Sequence, residues 1–221
     1  MPKTQQRRIL APAGQLDAEL TLPDAPGASL AVLCHPHPLY GGSMHDGVLD
    51  VCARALLNQG IAIARFNFRG VGTSAGISGR ATDAEKEQRA YDPPEVGDLA
   101  AVCTDLGAML NPSEMILVGY SFGAHVLWQG LPVLVQRQPN VTQAILVAPP
   151  TRAMSFTQNP VPASVDLHGV WCQDDDYVEP VWFANEPAMQ THPIAGGDHF
   201  FSAQDTQLSA TVARIARGRH D

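Results

Sequence analysis

The chain has 221 residues, enough for one sizeable α/β domain and short for two. Apolar residues make up 45% and charged residues 16%, the profile of a folded globular protein rather than a disordered one. A formal net charge of −8, with only 14 Lys and Arg along the chain, excludes the clustered basic footprint that nucleic acid binding needs.

The opening MPKTQQRRILAPAG carries basic residues without an apolar stretch behind them, so no secretory leader is expected. No run approaches the ~20 apolar residues of a membrane span. The expectation is a soluble cytoplasmic protein, with Lys3, Arg7 and Arg8 read as a solvated terminus. Cys34, Cys52, Cys103 and Cys172 lie far apart in apolar segments with no CxxC spacing. They read as reduced core thiols, not as a disulfide framework or a zinc site.

In chain order, RRILAPAG and LDAELTLP read as an edge hairpin. SLAVLC (29–34) is the first strongly buried strand. Ser43 opens a helix whose apolar positions Val48, Val51, Cys52, Ala55 and Leu56 recur at threes and fours, closed by Gly60. IAIARF (61–66) is the next strand. Asp92 with Pro93 and Pro94 announces a helix through Leu99, Val102, Leu106 and Leu110. MILVG (115–119) is a third strand, followed by an apolar helix from Phe122 to about Val135. TQAILVA (142–148), VDLHGVW (165–171) and MQTHPI (189–194) are further strands. SAQD (202–205) resembles a capping box before an amphipathic helix with Leu208, Val212 and Ile215. Strands alternating with helices predict an α/β fold around a mostly parallel sheet, in a single domain over 1–221. No internal repeat is evident.

Within that order, GYSFG (119–123) stands between a strand and a helix, the context of a nucleophile elbow. In so tight a turn the residues two places before and after Ser121 approach closely, which only glycine allows. The turn lifts the Ser121 hydroxyl above the strand ends at a helix N-terminus, where N–H groups favour developing negative charge. A Ser hydroxyl is a weak nucleophile and needs a base oriented by a carboxylate; with this motif the partners follow as acid and then His. CQDDDYVEP and GGDHFF supply them at two later strand ends.

Of the eight histidines, His192 and His168 fall inside strands, His220 lies at the C-terminus, and His125 sits one helical turn beyond Ser121, packed beneath the elbow. His199, in the loop beyond the last strand, is the candidate base. Asp198 reads as a loop or capping group. The acid is one of Asp174, Asp175 and Asp176. A different reading takes His35 and His37, with His45 and Asp46 following, as a metal site; prolines 36 and 38 read better as a stiff loop.

Taken together, HPHPLYGG (35–42), FNFRGVGTSAG (66–76), GYSFG, CQDDDYVEP and GGDHFF resemble the small, lidless bacterial α/β-hydrolases, over roughly residues 28–205. The resemblance implies an α/β-hydrolase fold with helices on both faces of a twisted sheet and no cofactor or metal. Members commonly carry a Gly-x-x-Asp turn where this chain has Cys172, which aligns the acid with Asp175; Asp174 remains the alternative. The oxyanion hole of such enzymes uses the N–H after the nucleophile, here Phe122, and one from the loop after the first buried strand. Pro36 and Pro38 have no N–H, so the resemblance favours His37, with Leu39 or Tyr40 as fallbacks. Arg69 is read as structural, bonding loop carbonyls, with binding of a substrate carboxylate as the alternative. The charged stretch 81–94 is a solvated excursion, or overhangs the pocket or joins a neighbouring subunit.

The link from Ala148 to Ser164 is short and Pro-rich, leaving little material for a lid. The expected activity is a carboxylesterase with a Ser121–His199–Asp175 catalytic triad, acting on small or medium soluble acyl esters. Thioester hydrolysis on the same triad, a non-catalytic binding scaffold, and a metal-dependent hydrolase stand as alternatives.

Overall fold

The structure is a computed structural model that describes residues 2–24, 27–78, 93–156, 161–186 and 188–218. Its strands are β1 (Lys3–Ala11), β2 (Gly14–Leu22), β3 (Ser29–Cys34), β4 (Ala62–Phe66), β5 (Glu114–Tyr120), β6 (Val141–Val147), β7 (Asp166–Cys172) and β8 (Met189–Ile194). Its helices are α1 (Gly47–Leu57), α2 (Glu95–Leu110), α3 (Phe122–Arg137), α4 (Pro180–Ala184) and α5 (Asp205–Arg217). The strands form an 8-stranded sheet in the order β1-β2-β4-β3-β5-β6-β7-β8. β1 and β2 are antiparallel, as are β2 and β4; the pairs from β4 through β3 to β8 are parallel.

The alternation of side chains along each strand feeds two cores. Leu30, Val32 and Cys34 of β3 pack with Leu99, Val102 and Leu106 of α2 and Leu127 and Trp128 of α3. Ala31 and Leu33 face the other way, onto Leu49, Cys52 and Leu56 of α1 and Leu208, Val212 and Ile215 of α5. β3 and β5 run as neighbours with Cys34 opposite Gly119. β3 connects onward to β4 on one side of that pair, and β5 to β6 on the other. This is the switch point at which open α/β sheets gather ligands beyond their carboxyl ends.

Several sequence expectations shift once the elements are seen together. The first helix starts at Gly47, not Ser43, because the Asp46 carboxylate accepts from the N–H groups of Val48 and Leu49 at 2.9 and 3.3 Å. Ser202 does not cap α5: its hydroxyl and N–H both bond Asp198, and Gln204 stands at the N-cap without a side-chain cap bond. Lys3, Arg7 and Arg8 lie within β1, not on a loose terminus, and Arg8 pairs with Asp17 at 2.7 Å. The short helix α4 and a single 3₁₀ turn over Pro38–Tyr40 were not anticipated. Of the charged excursion, residues 81–92 lie outside the described residues. All four cysteines are buried free thiols, and burial pushes Cys52 and Cys103 up to about 12. Among the described residues no helix is long and apolar enough to cross a membrane.

Arg69 is structural, but its main partner is a carboxylate. Its Nε and its Nη2 donate to the two oxygens of fully buried Asp98, at 3.0 and 2.7 Å, and Nη2 also reaches the Pro94 carbonyl. The pair ties the loop after β4 to the first turn of α2. Removing one partner of a buried ion pair leaves an uncompensated charge, at a cost of roughly 3–5 kcal/mol. Asp98→Asn is therefore expected to lower unfolding stability by about 3 kcal/mol in urea titration, whereas Arg54→Ala, at an exposed pair with Asp50, should change little. An Asp98→Asn midpoint equal to wild type would remove the pair from its anchoring role.

Candidate active site

β5 ends at Tyr120 and α3 begins at Phe122, so Ser121 alone makes the turn between them, at φ 53° and ψ −117°. A non-glycine residue in the left-handed region is strained, and persists only where its surroundings hold it. Here the Ser121 N–H donates to the Val147 carbonyl at 2.9 Å, while its carbonyl accepts from Ala124 and His125 at 2.9 and 3.2 Å. The glycines permit the turn sterically. A Cβ on Gly119 would collide with the Gly123 carbonyl and come within 2.7 Å of the Ala124 Cα; one on Gly123 would run into the Cys34 carbonyl. The elbow thus sits hard against the end of β3.

Three further segments converge on Ser121. His199, 9% exposed, follows β8 and brings its Nε2 to 2.9 Å from the Ser121 Oγ. Its Nδ1 lies 2.8 Å from Oδ2 of Asp175, in the turn after β7. Asp175 is buried while Asp174 and Asp176 are exposed. The Asp175 N–H bonds the Cys172 carbonyl, and the Tyr177 N–H donates to Asp175 Oδ1, so the turn itself aims one carboxylate inward. A carboxylate can only accept, so Nδ1 of His199 carries the proton and Nε2 is left to accept from the Ser121 hydroxyl.

The third segment is the loop after β3. The Leu39 N–H donates to His37 Nδ1 at 3.1 Å and the Tyr40 N–H to the His37 carbonyl at 3.0 Å. Both fallback donors are therefore committed, while among the described residues the His37 N–H donates to no other group. The His37 ring packs 4.6 Å from the ring of Phe122. Phe122 opens α3, where a helix leaves N–H groups without intrahelical partners. Burial pushes the His37 imidazole below its ordinary range, consistent with a neutral ring whose Nδ1 accepts.

The remaining histidines are engaged elsewhere. His35 is fully buried; its Nε2 accepts from the Phe68 N–H at 3.0 Å and its Nδ1 donates to the Pro36 carbonyl at 2.7 Å. With both ring nitrogens bonded to backbone, His35 is not poised to ligate a metal beside His37. His168 and His192 stack on each other in β7 and β8, with Arg214 donating to His192 Nδ1. His125 is buried in α3 beneath the elbow, and His220 lies outside the described residues.

One contributor, Tyr120, escaped sequence reasoning, and Asp198, read as a loop or capping group, acts as one. The buried Tyr120 hydroxyl donates to the His199 carbonyl at 3.0 Å, joining the elbow to the loop that carries the imidazole. Burial, reinforced by Asp46, Asp175 and Asp198, pushes the Tyr120 phenol well above its ordinary range, so it stays a neutral donor. Asp198 accepts from Phe200 N–H, Ser202 N–H and the Ser202 hydroxyl, which closes the turn around His199. Tyr120 follows the pattern of an apolar strand end, so nothing in its neighbours along the chain pointed to His199.

A sheet of this order with a strand–Ser–helix elbow at its switch point defines the α/β-hydrolase class of proteins. The model of the alpha/beta hydrolase family matches residues 31–220, and the chain belongs to that family. A crystal structure described as an a/b serine hydrolase without lid, from Xanthomonas campestris, is 30% identical and superposes with a TM-score of 0.82 over 97% of this chain and 94% of that one. An alpha-beta serine hydrolase homologue from Coxiella burnetii is also 30% identical, with a TM-score of 0.76 over 96% of each chain. An uncharacterized protein of Rickettsia prowazekii is 28% identical over 217 residues, covering 91% of this chain and 84% of its own.

The neutral state of His35 has a consequence for stability. Burial, opposed by the bond to Pro36 and aided by His37, lowers its pKa from 6.5 to about 4. The unfolded chain therefore binds a proton that the folded chain refuses, so stability is full above about pH 6.5 and falls as the pH drops toward 4. The thermal midpoint is expected to decline over this window by more in wild type than in His35→Gln. NMR of the ring nitrogens should show His35 still neutral at about pH 5.5; a protonated ring there would contradict the buried geometry.

Proposed function

We propose that the protein is a serine hydrolase, a carboxylesterase for small or medium soluble acyl esters, with Ser121 as nucleophile, His199 as general base and Asp175 as the group that orients it. The observation that carries this reading is the unbroken line of hydrogen bonds from Asp175 Oδ2 through both nitrogens of His199 to Ser121 Oγ. As the ester carbonyl is attacked, Ser121 Oγ bonds to its carbon and His199 Nε2 takes the hydroxyl proton. The imidazolium that forms is stabilised by Asp175. Charge developing on the carbonyl oxygen meets the N–H groups of Phe122 and His37, aided by the N-terminus of α3.

Collapse of the intermediate breaks the bond to the alcohol, whose oxygen receives the proton from His199. Water then attacks the acyl-enzyme by the same route, giving up its proton to His199, which returns it to Ser121 Oγ. The lidless description belongs to the Xanthomonas protein; the short link between β6 and β7 in this chain supports the same open access here, which suits soluble esters.

Ser121→Ala is expected to lower kcat by ~10⁴-fold or more while leaving the circular dichroism spectrum unchanged, and to abolish labelling by a fluorophosphonate probe. A purified variant that keeps a tenth of wild-type turnover would end the nucleophile assignment.

Among the three consecutive carboxylates, Asp175→Asn is expected to reduce kcat by orders of magnitude because the imidazole loses its orienting partner. Asp174→Asn and Asp176→Asn, at exposed positions, should stay within about threefold of wild type. Kinetics of the three variants on one ester decide it, and a crippled Asp174→Asn beside an active Asp175→Asn would transfer the role.

A further inference from the structure

His199 is bordered by three aromatic rings besides its hydrogen-bond partners. The ring of Tyr120 is buried beneath it at 5.7 Å. Tyr177 lies 4.8 Å from the imidazole in a tilted contact and Phe200 lies 5.7 Å away, edge-on. Unlike Tyr120, these two remain open: Tyr177 is 50% exposed and Phe200 68% exposed. Large rings left in water at the mouth of a site gain free energy when an apolar partner covers them.

Their position says which part of a substrate that partner is. In the step in which the carbonyl-to-alcohol C–O bond breaks, the electron pair goes to the leaving oxygen and His199 Nε2 delivers the proton it took from Ser121. The leaving oxygen must therefore come within about 2.6–3.2 Å of Nε2. In the proposed mechanism the carbonyl oxygen points toward the N–H groups of Phe122 and His37, which belong to the elbow and the loop after β3, whereas Tyr177 and Phe200 belong to the loops after β7 and β8. The alcohol half is thus directed onto the side of the site that Tyr177 and Phe200 border. The exposed side chains of these two loops include three carboxylates, Asp174, Asp176 and Asp198, and no Lys or Arg, which disfavours an anionic alcohol half.

We infer that Tyr177 and Phe200 form a subsite for the alcohol half of the ester, selecting neutral alcohols that place a planar aromatic group one carbon from the ester oxygen. The inference rests on the serine-hydrolase reading and extends it to the substrate class. A ring of this kind stacks on Tyr177 and meets the edge of Phe200 without disturbing the backbone bonds that hold Asp175 and His199.

The test compares benzyl acetate with ethyl acetate, which share an acyl group and release alcohols of nearly matched acidity, each rate being normalised to hydroxide-catalysed hydrolysis. Wild type is expected to favour the benzyl ester by about tenfold or more in kcat/KM. Tyr177→Ala and Phe200→Ala should each cut that ratio by about three- to tenfold. Tyr177→Phe should retain it, as should Val133→Ala, which removes an exposed apolar side chain from α3. Where turnover is too slow to rank, protection of Ser121 from a fluorophosphonate by the two esters compares their apparent affinities, and the benzyl ester is expected to protect at the lower concentration. A wild-type ratio near one, or a ratio unchanged in both alanine variants, would overturn the subsite while Ser121-dependent hydrolysis stands. If neither ester is turned over and Ser121 does not label, the serine-hydrolase reading falls and the subsite with it.

Discussion

The close approach of the elbow to the end of β3 is the constraint on which the rest of the site depends. Gly123 lies so near the carbonyls of Cys34 and His35 that no side chain fits between them. Because Cys34 is paired with Gly119 in the sheet register, the loop after β3 has to emerge beside Ser121. The sheet therefore sets the loop that carries His37 beside the elbow that carries Phe122, and the two rings lie 4.6 Å apart. Close packing of backbone on backbone is stiff, and a stiff frame suits the proposed oxyanion donors, which must already point at charge that appears only during reaction.

The second half of the site is held by hydrogen bonds instead of by close backbone packing. His199 lies on a loop, and loops are the mobile parts of α/β folds. Here the loop is fixed from two directions: Tyr120 bonds the His199 carbonyl from below, and Asp198 gathers Phe200 and Ser202 around the same turn. Asp175 is set by its own turn, through Cys172 and Tyr177. The outcome is an imidazole positioned by hydrogen bonds of the Tyr120, Asp198 and Asp175 side chains, none of which uses the rings of Tyr177 and Phe200, so the exposed faces of those rings are left for the proposed subsite.

The two cores and the Arg69–Asp98 pair keep the sheet and helices in register. The stacked rings of His168 and His192 tie β7 to β8, and Arg214 bonds His192. With these partners the two imidazoles stand apart from the hydrogen bonds that join Asp175, His199 and Ser121.

How much of this was legible in the sequence follows from how local each signal is. Strand β3 was read to the residue because an apolar run bounded by polar turns is a local pattern, and the helix over Phe122–Arg137 was read nearly to its end for the same reason; β8 was also read to the residue, although only Met189 and Ile194 of it are buried. GYSFG carried its own geometry, since two glycines around one Ser describe a bend by sterics alone. Where two local signals competed, the sequence could not arbitrate. Asp46 displaced Ser43 as the start of α1, and Asp198 took the hydroxyl of Ser202 that would have capped α5; each outcome depends on which carboxylate lies nearer in space. The choice of one carboxylate among Asp174, Asp175 and Asp176 is of the same kind, because burial distinguishes them and composition does not. The bond from Tyr120 to His199 joins positions far apart in the chain, and the collar of Tyr177 and Phe200 exists only once β7 and β8 lie side by side. The sequence by itself determined the elements and the bend that holds Ser121; the tertiary structure alone decided which side chains meet there, because that depends on distances set by the register of strands remote in sequence.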